Sequence, residues 1–311
     1  MTVRIVSLLP SVTEIVAALG REENLVGRTH ECDFPASIAP VPVVTESRLE
    51  HDPLDGAAID RAVSRALPDG GLYALRVDEL ERARPDLIIT QELCDVCAVS
   101  VDEVQEVADG LPGRPEVLSL APQTLEGVLA SILAVGVAVG AGEEARRLVD
   151  DLRTRLDRVR DAVAVRPRVP VVCLEWLDPP YCAGHWVPDQ VEAAGGEELL
   201  GRAGRPALRI RPDAVAEADP EVLCLIPCGW SAREAARAAG RGLLGPYAGT
   251  RAARGGRILA LDANAHFSRP GPRLVDGVEI LAAVLHPGAY LPGPGPDAAV
   301  PVAPGAPAAA R

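Results

Sequence analysis

Short apolar runs ending in polar loops alternate along this chain with stretches whose apolar residues recur every three or four positions. That alternation predicts buried parallel strands separated by helices. Arg4–Leu9 predicts the first strand, and about Val12–Leu19 the first helix, closed by Gly20, with Ser11 and Glu14 spaced as a capping box. Further strands are expected at Leu25–Gly27, Pro85–Thr90, Val169–Leu174, Pro220–Ile226 and Arg257–Leu261. Helices are expected at Asp78–Ala83, Asp213–Ala218 and Arg273–Leu285, with an amphipathic stretch near Ala57–Leu67. From Thr124 to about Ala162 the helical pattern is nearly continuous, with a break expected near Gly140–Gly142. A helix of that length reads as a connector between two lobes.

The second half repeats the first. Arg76–Cys94 and Arg211–Cys228 each read as short helix, Pro next to an acid, buried strand, and a loop bearing cysteine, about 135 residues apart. A single repeat at that spacing means two similar lobes rather than a solenoid. The fold expected is α/β, with two Rossmann-like lobes of parallel sheet joined by one long backbone helix. Its parts are an N-terminal lobe over 1–123, the connecting helix over 124–166, a C-terminal lobe over 167–286 and a Pro/Ala/Gly tail without structure over 287–311.

Composition narrows the function. The net charge of −13 argues against nucleic acid, which needs clustered cations. No run approaches the roughly 20 apolar residues of a membrane span, so no membrane insertion is expected. The opening Met1–Pro10 lacks the pattern of a signal peptide, and a cytoplasmic protein is expected. In that setting seven cysteines read as thiols or metal ligands rather than a disulfide framework.

Ligands of parallel α/β sheets sit beyond the carboxyl ends of the strands. Cys32, Cys94, Cys97, Cys182 and Cys228 are placed in such loops, while Cys173 and Cys224 lie inside strand runs and read as small buried hydrophobes. Cys94-Asp95-Val96-Cys97 is a C-x-x-C, a pattern shared by zinc sites, iron–sulfur clusters and redox dithiols. The company of the other loop cysteines favours zinc or an iron–sulfur cluster on Cys32, Cys94, Cys97 and Cys182, with Cys228 as a further ligand. The competing readings are a redox dithiol and ordinary reduced cysteines. Asp33, Glu92, Trp176, Tyr181, His185, Trp186, His266 and Arg269 are the candidate ligand-binding residues. Trp176 and Trp186 read equally well as packing residues. Phosphate-loop, dinucleotide and serine-hydrolase motifs are lacking in the right context.

The ordered set Arg4–Glu14, Asp33-Phe34-Pro35, Pro85–Thr90, Asp178-Pro179-Pro180 with Gly184, Gly195-Gly196 and Ser268–Arg273 resembles the cobalamin and iron-complex solute-binding proteins, the helical-backbone class of the periplasmic-binding fold. The likeness runs to about Leu285. It implies a corrinoid or metal complex held in an interlobe cleft, with limited hinge motion. Without a leader or lipid anchor in view, the chain resembles the cytosolic branch labelled cobalamin-binding protein. The function expected is therefore a cytosolic binding protein holding a corrinoid (cobalamin), a cysteine-ligated iron–sulfur cluster or zinc. The alternative is a metalloenzyme using such a centre on a small substrate, with Glu92 or His185 as acid–base group.

Overall fold

The computed structural model describes residues 3–48, 55–66, 72–92, 99–289, 295 and 297–303. The chain divides into two compact units, Met1–Asp52 with Ala58–Pro122 and Glu126–Asp151, and Pro53–Ala57 with Gln123–Leu125 and Leu152–Arg311.

In chain order the first unit contains β1 (Ile5–Ser7), α1 (Pro10–Ala18), β2 (Leu25–Arg28), β3 (Thr45–Ser47), most of α2 (Gly56–Ala66), β4 (Tyr73–Leu75), α3 (Val77–Ala83), β5 (Leu87–Gln91), α4 (Val101–Gly110), β6 (Glu116–Leu120) and all but the first residue of α5 (Leu125–Ala138). Among the described residues its main sheet is wholly parallel, in the order β2-β1-β5-β6. The inner strands β1 and β5 are buried along their whole length, as continuous apolar runs require when both faces are covered. On one face Val6, Leu8 and Ile88 pack with Leu80 and Ala83 of α3 and with Val104 and Ala108 of α4.

The segment expected as the backbone helix is α5 followed by α6 (Gly142–Val163), interrupted at 139–141, where Gly140 takes a left-handed φ of +67°. Glycine meets that conformation without steric cost.

The second unit continues with β7 (Val169–Leu177), β8 (Pro180–Cys182), α7 (Val187–Ala193), β9 (Gly196–Glu198), β10 (Leu208–Arg209), α8 (Pro212–Ala218), β11 (Val222–Leu225), α9 (Ala232–Ala239), α10 (Arg251–Arg254), β12 (Ile258–Leu261), α11 (Ala263–His266), α12 (Leu274–Leu285) and β13 (Ala299–Pro301). Its sheet is mixed. A parallel centre of β9, β7, β11 and β12 carries antiparallel β8, β10 and β13 towards its edges. On the edge away from β11, the nine-residue β7 serves two further partners, β9 along its first half and β8 along its second, because the chain reverses at Asp178-Pro179.

The repeat seen in the sequence is also a repeat of backbone. Helices α3 and α8 each end on a left-handed residue, Arg84 (φ 44, ψ 60) and Asp219 (φ 44, ψ 58), and each is followed by proline and a buried strand. Two details differ from the sequence expectation. Helix α1 starts at Pro10 without a side-chain cap, and Ser11 and Glu14 are buried rather than paired in a capping box. Proline at the first helical position already supplies the helical φ there. The tail after 287 is not wholly without structure, because Ala299–Pro301 adds an edge strand to β12 and Arg233 Nε donates to Asp297 Oδ1 at 2.9 Å.

Candidate functional site

In the first unit the carboxyl ends of the strands carry small hydroxyl and thiol groups that bond one another. Ser7 Oγ donates to Leu9 O at 2.8 Å, and Thr13 Oγ1 donates to Ser7 Oγ at 2.8 Å. Each hydroxyl has one proton, so the 3.0 Å contact between Thr13 Oγ1 and Cys32 Sγ assigns the thiol as donor. A second cluster lies where β2 leaves the sheet. Thr45 Oγ1 meets Thr29 Oγ1 at 2.9 Å and His30 Nδ1 at 2.7 Å, and the His30 ring packs on Tyr73 with centroids 5.2 Å apart. Past these clusters, Asp33 and Phe34 are exposed, Phe34 by 45%. Glu92 follows β5 directly, with its side chain exposed and its amide donating to Leu120 O.

The second unit arranges its strand ends differently. Three loops are knitted through their backbones: Cys228 N donates to Glu175 O at 3.1 Å, and Asn264 N donates to Trp230 O at 3.1 Å. Gly229 N donates to Ser268 Oγ at 3.3 Å. On this frame the Trp176 and Trp230 rings stand 5.3 Å apart at 52°, a tilted aromatic pair. Trp176 is fixed further, because its Nε1 donates to Gly56 O at 3.2 Å. Tyr181 is the cross-strand neighbour of Trp176, and Cys228 is exposed on the loop between β11 and Trp230. Behind them Tyr247 is buried, and burial together with the Asp178 charge pushes its phenol up to about 12.

The remaining candidates are more internal. Trp186 is buried and its Nε1 donates to Phe267 O at 2.7 Å, a packing role. Arg269 is buried as well. His185 adopts a φ of 49°, meets Gln123 Oε1 through Nδ1 at 3.0 Å and lies 5.6 Å from the Trp186 ring. Burial lowers the pKa of both His185 and His266 and favours neutral imidazoles. His266 keeps a buried Nδ1 without a hydrogen-bond partner.

The amino-acid pattern of the periplasmic binding protein family matches residues 5–265. The chain belongs to the periplasmic binding protein family. It is 22% identical over 303 residues to the uncharacterized ABC transporter substrate-binding lipoprotein YvrC of Bacillus subtilis (strain 168), covering 92% of this chain and 81% of that one. Among solved structures, a periplasmic heme-binding protein from Pseudomonas aeruginosa superposes with a TM-score of 0.70 at 26% identity, over 94% of this chain and 96% of that one. The periplasmic vitamin B12-binding protein BtuF of Vibrio cholerae gives 0.67 at 21% identity, over 91% and 97%.

These matches correct the expected cytoplasmic location: the family and its relatives are periplasmic or lipid-anchored, which indicates a place outside the cytoplasm. The expected zinc or iron–sulfur site is corrected too. Among the described residues no group of three or more His, Cys, Asp and Glu side chains is placed to hold a metal. The physical reasons lie in the thiols. Cys32 is buried and donates to Thr13, and Cys182 lies within β8, where burial pushes its pKa up. Cys94 and Cys97 lie outside the described residues.

Trp230 and Gly56 escaped the sequence reading. The rule that flagged Cys228, a loop following a buried strand, applies equally to Trp230 two residues on. The role of Gly56 depends on tertiary approach alone, since it precedes Trp176 by 120 residues.

Proposed function

We propose that this periplasmic binding protein captures a metal-centred macrocycle, a corrinoid or a heme, and presents it to an ABC transporter. The observation that carries the proposal is the Trp176–Trp230 pair, a half-buried ring packed on a buried one, held on a hydrogen-bonded frame at the carboxyl ends of β7 and β11. Broad apolar rings of this kind suit a large flat ligand, and Tyr181 extends the aromatic surface. Cys228, exposed on the same frame, offers a soft donor of the type that ligates heme iron. Support also comes from the family and from fold relatives whose names record heme and vitamin B12 binding.

Titration of the purified protein with cyanocobalamin and, separately, with hemin, followed by calorimetry and absorbance, tests the proposal. One of the two is expected to bind stoichiometrically at micromolar or lower Kd. Absence of saturable binding for both overturns it.

A further inference from the structure

Cys173 on β7 and Cys224 on β11 are partners in register across neighbouring parallel strands, and both are fully buried. Side chains of such partners leave the sheet on the same face, and both are free thiols in this structure. Strands about 4.8 Å apart place the two Cα atoms inside the roughly 4.4–6.8 Å window that a disulfide spans. Glu198, whose cross-strand partner Val171 shares the Cys173 face, completes the cluster, and its Oε2 accepts from Cys173 N at 3.0 Å.

Read from the sequence alone, these two cysteines are small buried hydrophobes in a reducing compartment. The family changes the second premise, and the register gives each buried thiol a partner. From this we infer that Cys173 and Cys224 are a modification site, closed to a cross-strand disulfide by thiol–disulfide exchange with a disulfide-bearing oxidant outside the cytoplasm. The two cysteine thiols give up two protons and two electrons, one S–S bond forms between them, and the oxidant's S–S bond is reduced to two thiols. The thiolate of one cysteine first attacks the oxidant, and the other then displaces the oxidant's remaining sulfur. Burial of both sulfurs requires that exchange precede closure of the sheet. Burial afterwards shields the bond from external thiols. The inference goes beyond the ligand reading and does not depend on it.

The test uses the full chain, unfolded with reductant present and then refolded with oxidised glutathione. A second preparation replaces Cys94, Cys97 and Cys228 with Ser to remove rival partners. Alkylation under denaturing conditions, followed by peptide mapping, is expected to find Cys173 and Cys224 protected and joined in one linked peptide, lighter by two hydrogens and released by reductant. Reductant present throughout refolding should lower the Tm of the wild type and leave that of C173A/C224A unchanged. If both thiols alkylate fully in oxidatively refolded protein that regains native secondary structure, the inference is wrong. Linkage of either cysteine to a different partner overturns it as well.

Discussion

The strand ends of the two units differ in what they do with their polar and aromatic groups. In the first unit Ser7, Thr13 and Cys32 form a closed relay ending on Leu9 O, and Thr29, Thr45 and His30 form another. Their hydrogen-bonding capacity is used internally, which holds loops in place. In the second unit the loops are tied mainly by backbone, from Cys228 to Glu175 and from Asn264 to Trp230, and the Trp176 ring is held in place by its bond to Gly56 O. A repeat of the same backbone, down to the left-handed residues Arg84 and Asp219, thus supports two different chemistries. Fold alone does not decide which unit recognises a ligand; the side chains at the strand ends do.

The largest effect expected from breaking this contrast lies beneath the second unit's frame. Glu198 retains partial exposure, but its carboxylate turns inward and accepts from Cys173 N, Leu200 N and Gly201 N at 3.0, 3.2 and 3.0 Å. Glu198→Ala strands three amide donors and is expected to cost about 2–4 kcal/mol in urea unfolding.

Next comes the pH dependence of the same group. Burial, opposed by those three amides, raises the carboxyl from 4.5 to about 7. Between these values the folded protein holds a proton that the unfolded chain has released. Stability is therefore highest on the acid side of this window and falls as pH rises from about 4.5 to about 7, by on the order of 2–3 kcal/mol. Glu198→Gln should flatten that slope in melts taken across the window.

Smaller is the effect on binding of Trp230→Ala or Trp176→Ala. Each is expected to weaken macrocycle affinity about ten- to a hundredfold, read by calorimetry, with far-ultraviolet circular dichroism unchanged. The smallest effect falls in the first unit. Thr13→Val breaks the relay and should cost about 1 kcal/mol of stability while leaving affinity within about twofold.

Much of the architecture was legible in the sequence because it rests on local rules. Continuous apolar runs placed β1, β5, β11 and β12, and the helix–Pro–acid–strand repeat placed two equivalent units. The half-buried β6, running from exposed Glu116 to buried Leu120, gave no clean period and was missed. So was β8, three residues beginning with proline, which is tolerated at the first position of a strand but reads as a loop. That miss made Cys182 look like a loop ligand. The site was less legible than the fold because it is made of long-range approaches. Cys32 meets Thr13 only after the loop following β2 returns to α1, and Trp176 meets Trp230 only after β7 and β11 pair. The location was misjudged from the opening residues, which carry less information than the match over 5–265.

The central claim is that the second unit's strand-end frame recognises the ligand, and hydrogen–deuterium exchange with and without bound macrocycle tests it most directly. Protection is predicted over 175–182, 227–230 and 262–269, carried by the amides of Cys228, Gly229 and Asn264, and lost in Trp176→Ala/Trp230→Ala. Saturating ligand that leaves those three segments unchanged and protects only segments elsewhere in the chain would contradict it.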